Sequence, residues 1–324
     1  MRAVNSFFAL AALLLATLFA TACSDGGQSG DQGARKFRIG FSQVTTAEPW
    51  RVLFNRQMRD EAARHPEIQL TIADGQDRTE KQVSDVEAFI QQRVDLIMIS
   101  PKESAGLTGV VERAMEAGIP VIVLDRGVST DKFTQFIGSD NLKIGTMAGQ
   151  YAVQKLGGKG KAQGNLVEIW GGMASTPAQE RHKGFAEQID AEPGIKRLVD
   201  RQDADWKQDR AYNIMAAALK AHPKIDMVYA HNDPMAYGAW LAAKDAGREK
   251  QIMFLGIDAI PEEGAKWVKQ GALTATFVYA PPGAEAVRQA MKIMRKEPVE
   301  KRIELPTEAI DAATVDTYLQ RHGG

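Results

Sequence analysis

Two stretches of the chain follow one plan. Val94–Arg126 and Ile225–Ala259 each run Asp, apolar strand, polar loop, amphipathic helix, Ala-Gly, apolar strand, Asp. Asp95 and Asp125 bound the strands of the first copy, Asp226 and Asp258 those of the second. A strand–helix–strand unit written twice constrains the fold more than any single motif, because its crossover has one favoured hand and demands a parallel sheet. It predicts two similar domains facing each other, with Asp125 and Asp258 looking into the gap between them.

A length of 324 residues suits two such domains of roughly 100–200 residues each. Forty Lys and Arg against 41 Asp and Glu leave a net charge of −1, so no global field draws in nucleic acid or an anionic membrane. Function has to come from a local site.

The N-terminus sets the expected compartment. Arg2 precedes Phe7–Ala22, an uncharged apolar run shorter than the about 20 residues of a membrane span and suited to a secretory signal. The run meets Cys23, the only cysteine, after the small residues Thr21-Ala22. This looks like a bacterial lipoprotein cleavage box, although Ala20 stands where leucine is usual. Residues 1–22 are therefore expected to be a signal peptide and Cys23 a lipidation site. Residues 23–35, rich in Gly and polar residues, read as a flexible tether.

Beyond the tether, strand-like and helical patterns alternate to the end of the second repeat. Uninterrupted runs such as Asp95–Ser100 and Val121–Leu124 are expected of parallel strands covered on both faces. Pro177, Pro234 and Pro261 suit the first turn of a helix, where no backbone donor is lost. The fold class that follows is α/β, with parallel doubly wound sheets. In such sheets ligands sit beyond the carboxyl ends of the strands.

Those ends are dense in polar and aromatic residues: Gln43, Trp50-Arg51, Asp125-Arg126, Arg181, Trp206, Asn232, Asp258 and Tyr279. Carboxylates accept hydrogen bonds from hydroxyls, Arg presents a rigid fork of donors, and Asn does both. Trp offers an apolar face to the C–H side of a sugar ring. Together they describe a neutral polyhydroxylated ligand. The competing structural readings are a loop ion pair at Asp125-Arg126, a helix cap at Asp258 and core packing at the tryptophans. For Trp170, Trp240 and Trp267, which lie inside strand or helix patterns, packing is the stronger reading, while His231, beside Asn232, reads equally as a site residue or as its neighbour.

At these positions the chain resembles the bacterial periplasmic sugar-binding proteins of the ribose/galactose type, from about Lys36 to Lys301. The resemblance rests on VIVLDR (Val121–Arg126), ERHKGF (Glu180–Phe185), DADW (Asp203–Trp206), YAHNDPMAYGA (Tyr229–Ala239) and LGID (Leu255–Asp258). GFSQV (Gly40–Val44), PWR (Pro49–Arg51) and ADGQ (Ala73–Gln76) look most like the galactofuranose-binding branch. The chain departs from ribose binders at Trp50-Arg51, where those pair two aromatics. It departs again at Tyr279, where ribose binders carry Gln and galactofuranose binders an acidic residue.

The resemblance implies two doubly wound lobes joined by a three-strand hinge. Residues 36–139 with 281–307 would form the N-terminal lobe, and 140–280 with 308–324 the C-terminal lobe. It further implies an Asp125-Arg126 ligand clamp, sugar contacts from Arg181, Asn232 and Asp258, and an aromatic platform near Trp206. The lobes would close on a monosaccharide and present it to a membrane ABC permease, the protein acting as a monomer with no cofactor and no catalytic residue.

Three other readings compete with this one. An enzyme finds no support: SQVTTAEPW after the first strand lacks the glycines of a dinucleotide turn, and no G-x-S-x-G elbow occurs. Five scattered His and one Cys give no metal-ligand spacing. A DNA-binding regulator of related core would carry a helix-turn-helix where this chain has its signal and tether. Sensing, with docking on a chemoreceptor or sensor kinase, would use the same sugar-binding residues as uptake.

Overall fold

The structure is a computed structural model that describes residues 36–322. The signal segment, Cys23 and the tether lie outside the described residues.

The first sheet is built from β1 (Phe37–Gln43), β2 (Ile68–Asp74), β3 (Leu96–Ile99), β4 (Val121–Leu124) and β5 (Gln135–Ser139). They are connected through α1 (Pro49–Ala62), α2 (Thr79–Gln91) and α3 (Ser104–Glu116). The chain continues through α4 (Asn141–Lys155), β6 (Gln163–Trp170), α5 (Thr176–Ile189), β7 (Gly194–Asp203), α6 (Gln208–Ala221) and β8 (Met227–Ala230). It proceeds to α7 (Asp233–Asp245), β9 (Met253–Asp258), α8 (Lys266–Lys269) and β10 (Ala275–Val278). Last come α9 (Gly283–Met294), β11 (Arg302–Leu305), β12 (Ala309–Asp311) and α10 (Val315–His322).

The strands form two six-stranded sheets of order β2-β1-β3-β4-β5-β11 and β7-β6-β8-β9-β10-β12. Every pairing is parallel except β12, which runs antiparallel to β10. Each sheet reverses its strand order at its first strand, β1 or β6, so helices cover both faces and a crevice opens at the carboxyl ends. The doubly wound α/β class expected from the repeat is the observed one. After β10 the chain returns to pack α9 on α1, where a Cβ at Gly283 would lie 2.4 Å from the Phe54 carbonyl oxygen. β11 then joins the first sheet and β12 the second.

The repeat has a physical basis in both copies. Asp95, just before β3, accepts the Arg38 N–H of β1 at 2.8 Å. Asp226, just before β8, accepts the Asn165 N–H of β6 at 2.7 Å. The leading Asp of each unit therefore ties two neighbouring strands, and only the trailing Asp is left for the cleft. β3, β4 and β8 are buried along their whole length, as strands covered on both faces must be. Each fully buried Leu, Ile, Val, Phe or Met contributes about 1.5–3 kcal/mol of transfer free energy.

Pro261, expected in the first turn of a helix, instead opens a π-turn over Pro261–Ala265 that leads into α8. Its Ile260 carbonyl accepts the Ala265 N–H at 3.2 Å, and the wide turn lays Gly264 against the Asp233 carboxylate. Trp170 is buried against His182, while Trp240 and Trp267 stack on either side of Tyr237, so all three are packing residues.

Candidate functional site: an enclosed interlobe cavity

The carboxyl ends of the two sheets meet around a cavity with about 340 Å³ of free space, including its mouth. The first sheet contributes Glu48, Trp50 and Arg51 from the start of α1, and Asp125 and Arg126 from the end of β4. The second contributes Pro177 and Arg181 of α5, Trp206 after β7, Asn232 after β8, Asp258 at the end of β9 and Tyr279 after β10.

The Asp125 carboxylate accepts from three side chains of the protein. One oxygen, Oδ2, accepts from Arg51 Nη1 at 2.6 Å and from the Ser100 hydroxyl at 2.8 Å. The other accepts from the Tyr279 hydroxyl at 2.5 Å. Burial raises its pKa, but Arg51 and Arg126, with the Tyr279 and Ser100 hydrogen bonds, outweigh burial and hold it below the ordinary value. Burial likewise works against the Arg51 charge, and the attraction of Asp125 and Glu48 overcomes it. Tyr279, whose hydroxyl is pushed well up by burial and then by Asp125, stays protonated and donating. Its ring lies against Trp50 at 5.3 Å, and its carbonyl accepts the Trp50 indole N–H at 2.9 Å.

The competing loop ion pair between Asp125 and Arg126 is present only as a long contact. Arg126 Nε stands 3.7 Å from Asp125, while Nη1 donates to the Lys102 carbonyl and the guanidinium lies 5.1 Å over the Trp206 ring. Neighbouring residues at a strand end diverge, all the more because Asp125 has φ +66°, and this frees Arg126 to face the cavity. Burial and the Arg51 charge both lower the Arg126 pKa.

Around Asp258 the arrangement is the reverse. Among the described residues no side chain donates a hydrogen bond to its carboxylate, which opens onto the cavity. Burial, then the charge of Asp233, raises its pKa well above the ordinary value, against the opposing pull of Arg181. Arg181 is buried and anchored by Nε to Asn141 Oδ1 at 2.9 Å and by Nη1 to the His231 carbonyl. Asn232 caps α7 by accepting the Met235 N–H at 2.9 Å and donates to the Trp206 carbonyl at 3.1 Å. One N–H and one lone pair remain for a ligand. Trp206 sits over Gly171, where a Cβ would come within 2.3 Å of the ring, so glycine is required beneath it.

The rim is closed by polar contacts between the lobes. Lys207 Nζ bridges Asp205 and Asp77, each at 2.7 Å, and Lys102 Nζ reaches Asp205 at 3.7 Å. Gly127 donates its N–H to Thr176 Oγ1 at 2.8 Å, and Ser104 its N–H to the Ala174 carbonyl at 3.3 Å.

Nine of the ten expected site residues thus share one cavity wall. Gln43 does not: it lies fully buried behind Arg51, donating to Asn55 and accepting from Arg51 and the Val44 N–H. Its acceptor is consumed in holding Arg51 in place. His231 is also behind the wall. Its ring bonds the buried Glu168, which His182 shares, and only its carbonyl serves the site, through Arg181. Glu48 and Pro177 line the cavity without having been singled out. Glu48 had a signal, standing in the same strand-end segment as Trp50; Pro177 read only as a helix start.

Two α/β lobes meeting around a polar, aromatic-lined cavity offer donors, acceptors and ring faces to a small ligand. The chain belongs to the family described as periplasmic binding protein domain, whose model matches residues 39–298, and within it to the sugar-binding proteins of ribose and galactofuranose type. It is 33% identical to the ribose import binding protein RbsB of Bacillus subtilis over 91% of this chain and 95% of that protein. It is 34% identical to the galactofuranose-binding protein YtfQ of Escherichia coli over 82% of this chain and 84% of that one. Among solved structures, the fructose-binding periplasmic domain of a hybrid two-component system superposes with a TM-score of 0.84 at 41% identity. That match covers 88% of this chain and 94% of that domain. The family binds sugars rather than transforming them, and it is periplasmic.

Proposed function

We propose that this chain is the substrate-binding lipoprotein of a sugar ABC transporter, closing on one neutral pentose or hexose, in furanose form, and presenting it to the membrane permease. The observation that carries this reading is the composition of the cavity wall once its internal pairs are set aside. Arg51 and Asp125 neutralise each other, leaving Arg126 and Arg181 against Asp258 and Glu48. Two cations facing two carboxylates, with Asn232 and the rings of Trp50 and Trp206, match an uncharged ligand rich in hydroxyls. The likeness to a galactofuranose binder supports a five-membered ring.

In this reading the lobes comprise residues 36–139 with 281–307 and 140–280 with 308–324, and they hinge about three connecting segments. The rim contacts belong to the closed state that ligand stabilises. Cys23 carries the lipid that holds the protein at the membrane, and the protein acts as a monomer. Sensing is the second reading, favoured by the likeness to a sugar-binding domain of a two-component system.

Calorimetry against D-ribose, D-galactose, D-fructose and L-arabinose tests the central claim. At least one sugar is expected to bind at submillimolar or better affinity with a change in tryptophan fluorescence. No heat and no thermal shift across a broad sugar panel contradicts it. Cys23→Ser is expected to move the protein out of the membrane fraction; equal fractionation of variant and wild type rejects the anchor.

A further inference from the structure

The Asp258 carboxylate faces the cavity only because the backbone around it adopts a conformation that non-glycine residues avoid. Asp258 has φ +134° and Ala259 φ +57°, two consecutive residues on the positive side. Such geometry persists where the surroundings over-determine it. Ala259 is held from both sides. Its N–H donates to Asp233 Oδ2 at 2.7 Å, and its carbonyl accepts from the Tyr318 hydroxyl at 2.8 Å. Both partners are buried and neither lines the cavity.

Asp233 is fitted to this task. It directly follows Asn232, so the start of α7 sends one side chain to the cavity and the next back onto the β9 turn. Its carboxylate fills a slot between Gly256 and Gly264, where an added Cβ would lie 2.1 Å and 1.7 Å from its oxygens. Tyr318 comes from α10, distant in sequence, so the C-terminal helix also reaches the site.

We infer that Asp233 and Tyr318 are positioning residues that set the aim of Asp258 by clamping the N–H and C=O of Ala259. The inference rests on the cavity being the sugar site with Asp258 as a ligand acceptor. The groups facing Asp233 are Asp258, Glu263 of the π-turn, Thr276 of β10, Arg181 of α5 and the Ala259 N–H. Burial with repulsion from Glu263 raises its pKa to about 7, against the nearby Thr276 hydroxyl, the Ala259 N–H hydrogen bond and the pull of Arg181. A protonated Asp233 still has a carbonyl oxygen to accept from Ala259, so an amide should preserve the clamp.

The test is calorimetry on the full chain with whichever of D-ribose, D-fructose and D-galactose gives the largest heat. Asp233→Ala is expected to weaken binding by at least about tenfold, and Asp233→Asn to recover most of that loss, as expected for one buried hydrogen bond. Tyr318→Phe, which keeps the packing, is expected to weaken binding roughly three- to tenfold. In an Asp258→Asn background, Tyr318→Phe should change affinity no further, because residues acting through one group are not additive. Wild-type affinity in Tyr318→Phe, or a loss that multiplies with that of Asp258→Asn, overturns the inference. So does an Asp233→Asn variant as weak as Asp233→Ala. Should Asp233→Ala not fold, Tyr318→Phe and its double mutant decide. A wild type that binds none of the three sugars contradicts the sugar reading itself, an outcome distinct from binding that ignores these variants.

Discussion

Asp125 and Asp258 end equivalent strands of a repeated unit, yet they do opposite work. Asp125 receives three donors from Arg51, Ser100 and Tyr279, and its pKa is lowered against the cost of burial. Asp258 receives none from a side chain among the described residues, and its pKa is raised by burial and by Asp233. The first is tied into the wall of the cleft by its neighbours; the second leaves its oxygens open to the cavity. A duplicated scaffold supplies two matching positions, and the neighbours decide which is structural and which is functional.

The largest expected effect tests Asp125. Arg51 and Asp125 expose only 3% and 2% of their side chains, so Asp125→Asn strands a guanidinium in the interior. Breaking such a pair costs about 3–5 kcal/mol of stability, read as a lowered midpoint in denaturant. The sign with pH follows from the lowered pKa: Asp125 stabilises the fold above the unfolded value of about 3.9 and loses that contribution as pH falls through its folded value. The gap between wild type and variant should therefore close in acid.

Position 258 should show the opposite on both counts. Asp258→Asn is expected to cost about 2 kcal/mol of sugar affinity, roughly thirtyfold, with unchanged or improved stability. Because the folded pKa is raised, wild type loses stability as pH climbs from the unfolded value toward the folded one, so the variant should gain on wild type over that range. A midpoint difference independent of pH would place Asp258 outside the buried pair with Asp233.

Much of this was legible in the sequence. The alternation of strands and helices carried the fold, and strand ends carried nine wall residues, because both follow from local pattern and from where parallel sheets open. What could not be read was which partner each residue chose. Arg126 is adjacent to Asp125 in sequence, but Arg51 comes across from α1 to take its carboxylate. The Asp258–Ala259 kink depends on Asp233 and on Tyr318 of a helix far along the chain. Gln43 stood at a strand end like the others, and only packing behind Arg51 removes it from the wall.

Smaller effects sharpen the contrast further. Tyr279→Phe removes one donor from Asp125 while keeping the stack on Trp50, and about 1 kcal/mol of stability should go with it. A larger effect on affinity than on stability would mean that the Tyr279 hydroxyl serves the ligand instead. The rim contributes least. Lys207 and Asp77 expose 36% and 31% of their side chains, so Lys207→Ala should weaken sugar binding by less than about 1 kcal/mol. That loss should shrink as salt screens the pair. A salt-independent loss would assign closure to other contacts.

The most direct measurement is a calorimetric titration of Asp258→Asn with the bound sugar, paired with its unfolding midpoint. The division of labour between the two aspartates predicts an affinity at least about tenfold weaker than wild type, with a midpoint equal to or above it. Wild-type affinity with a lowered midpoint would contradict it, making Asp258 structural as well and leaving the ligand to other residues of the wall.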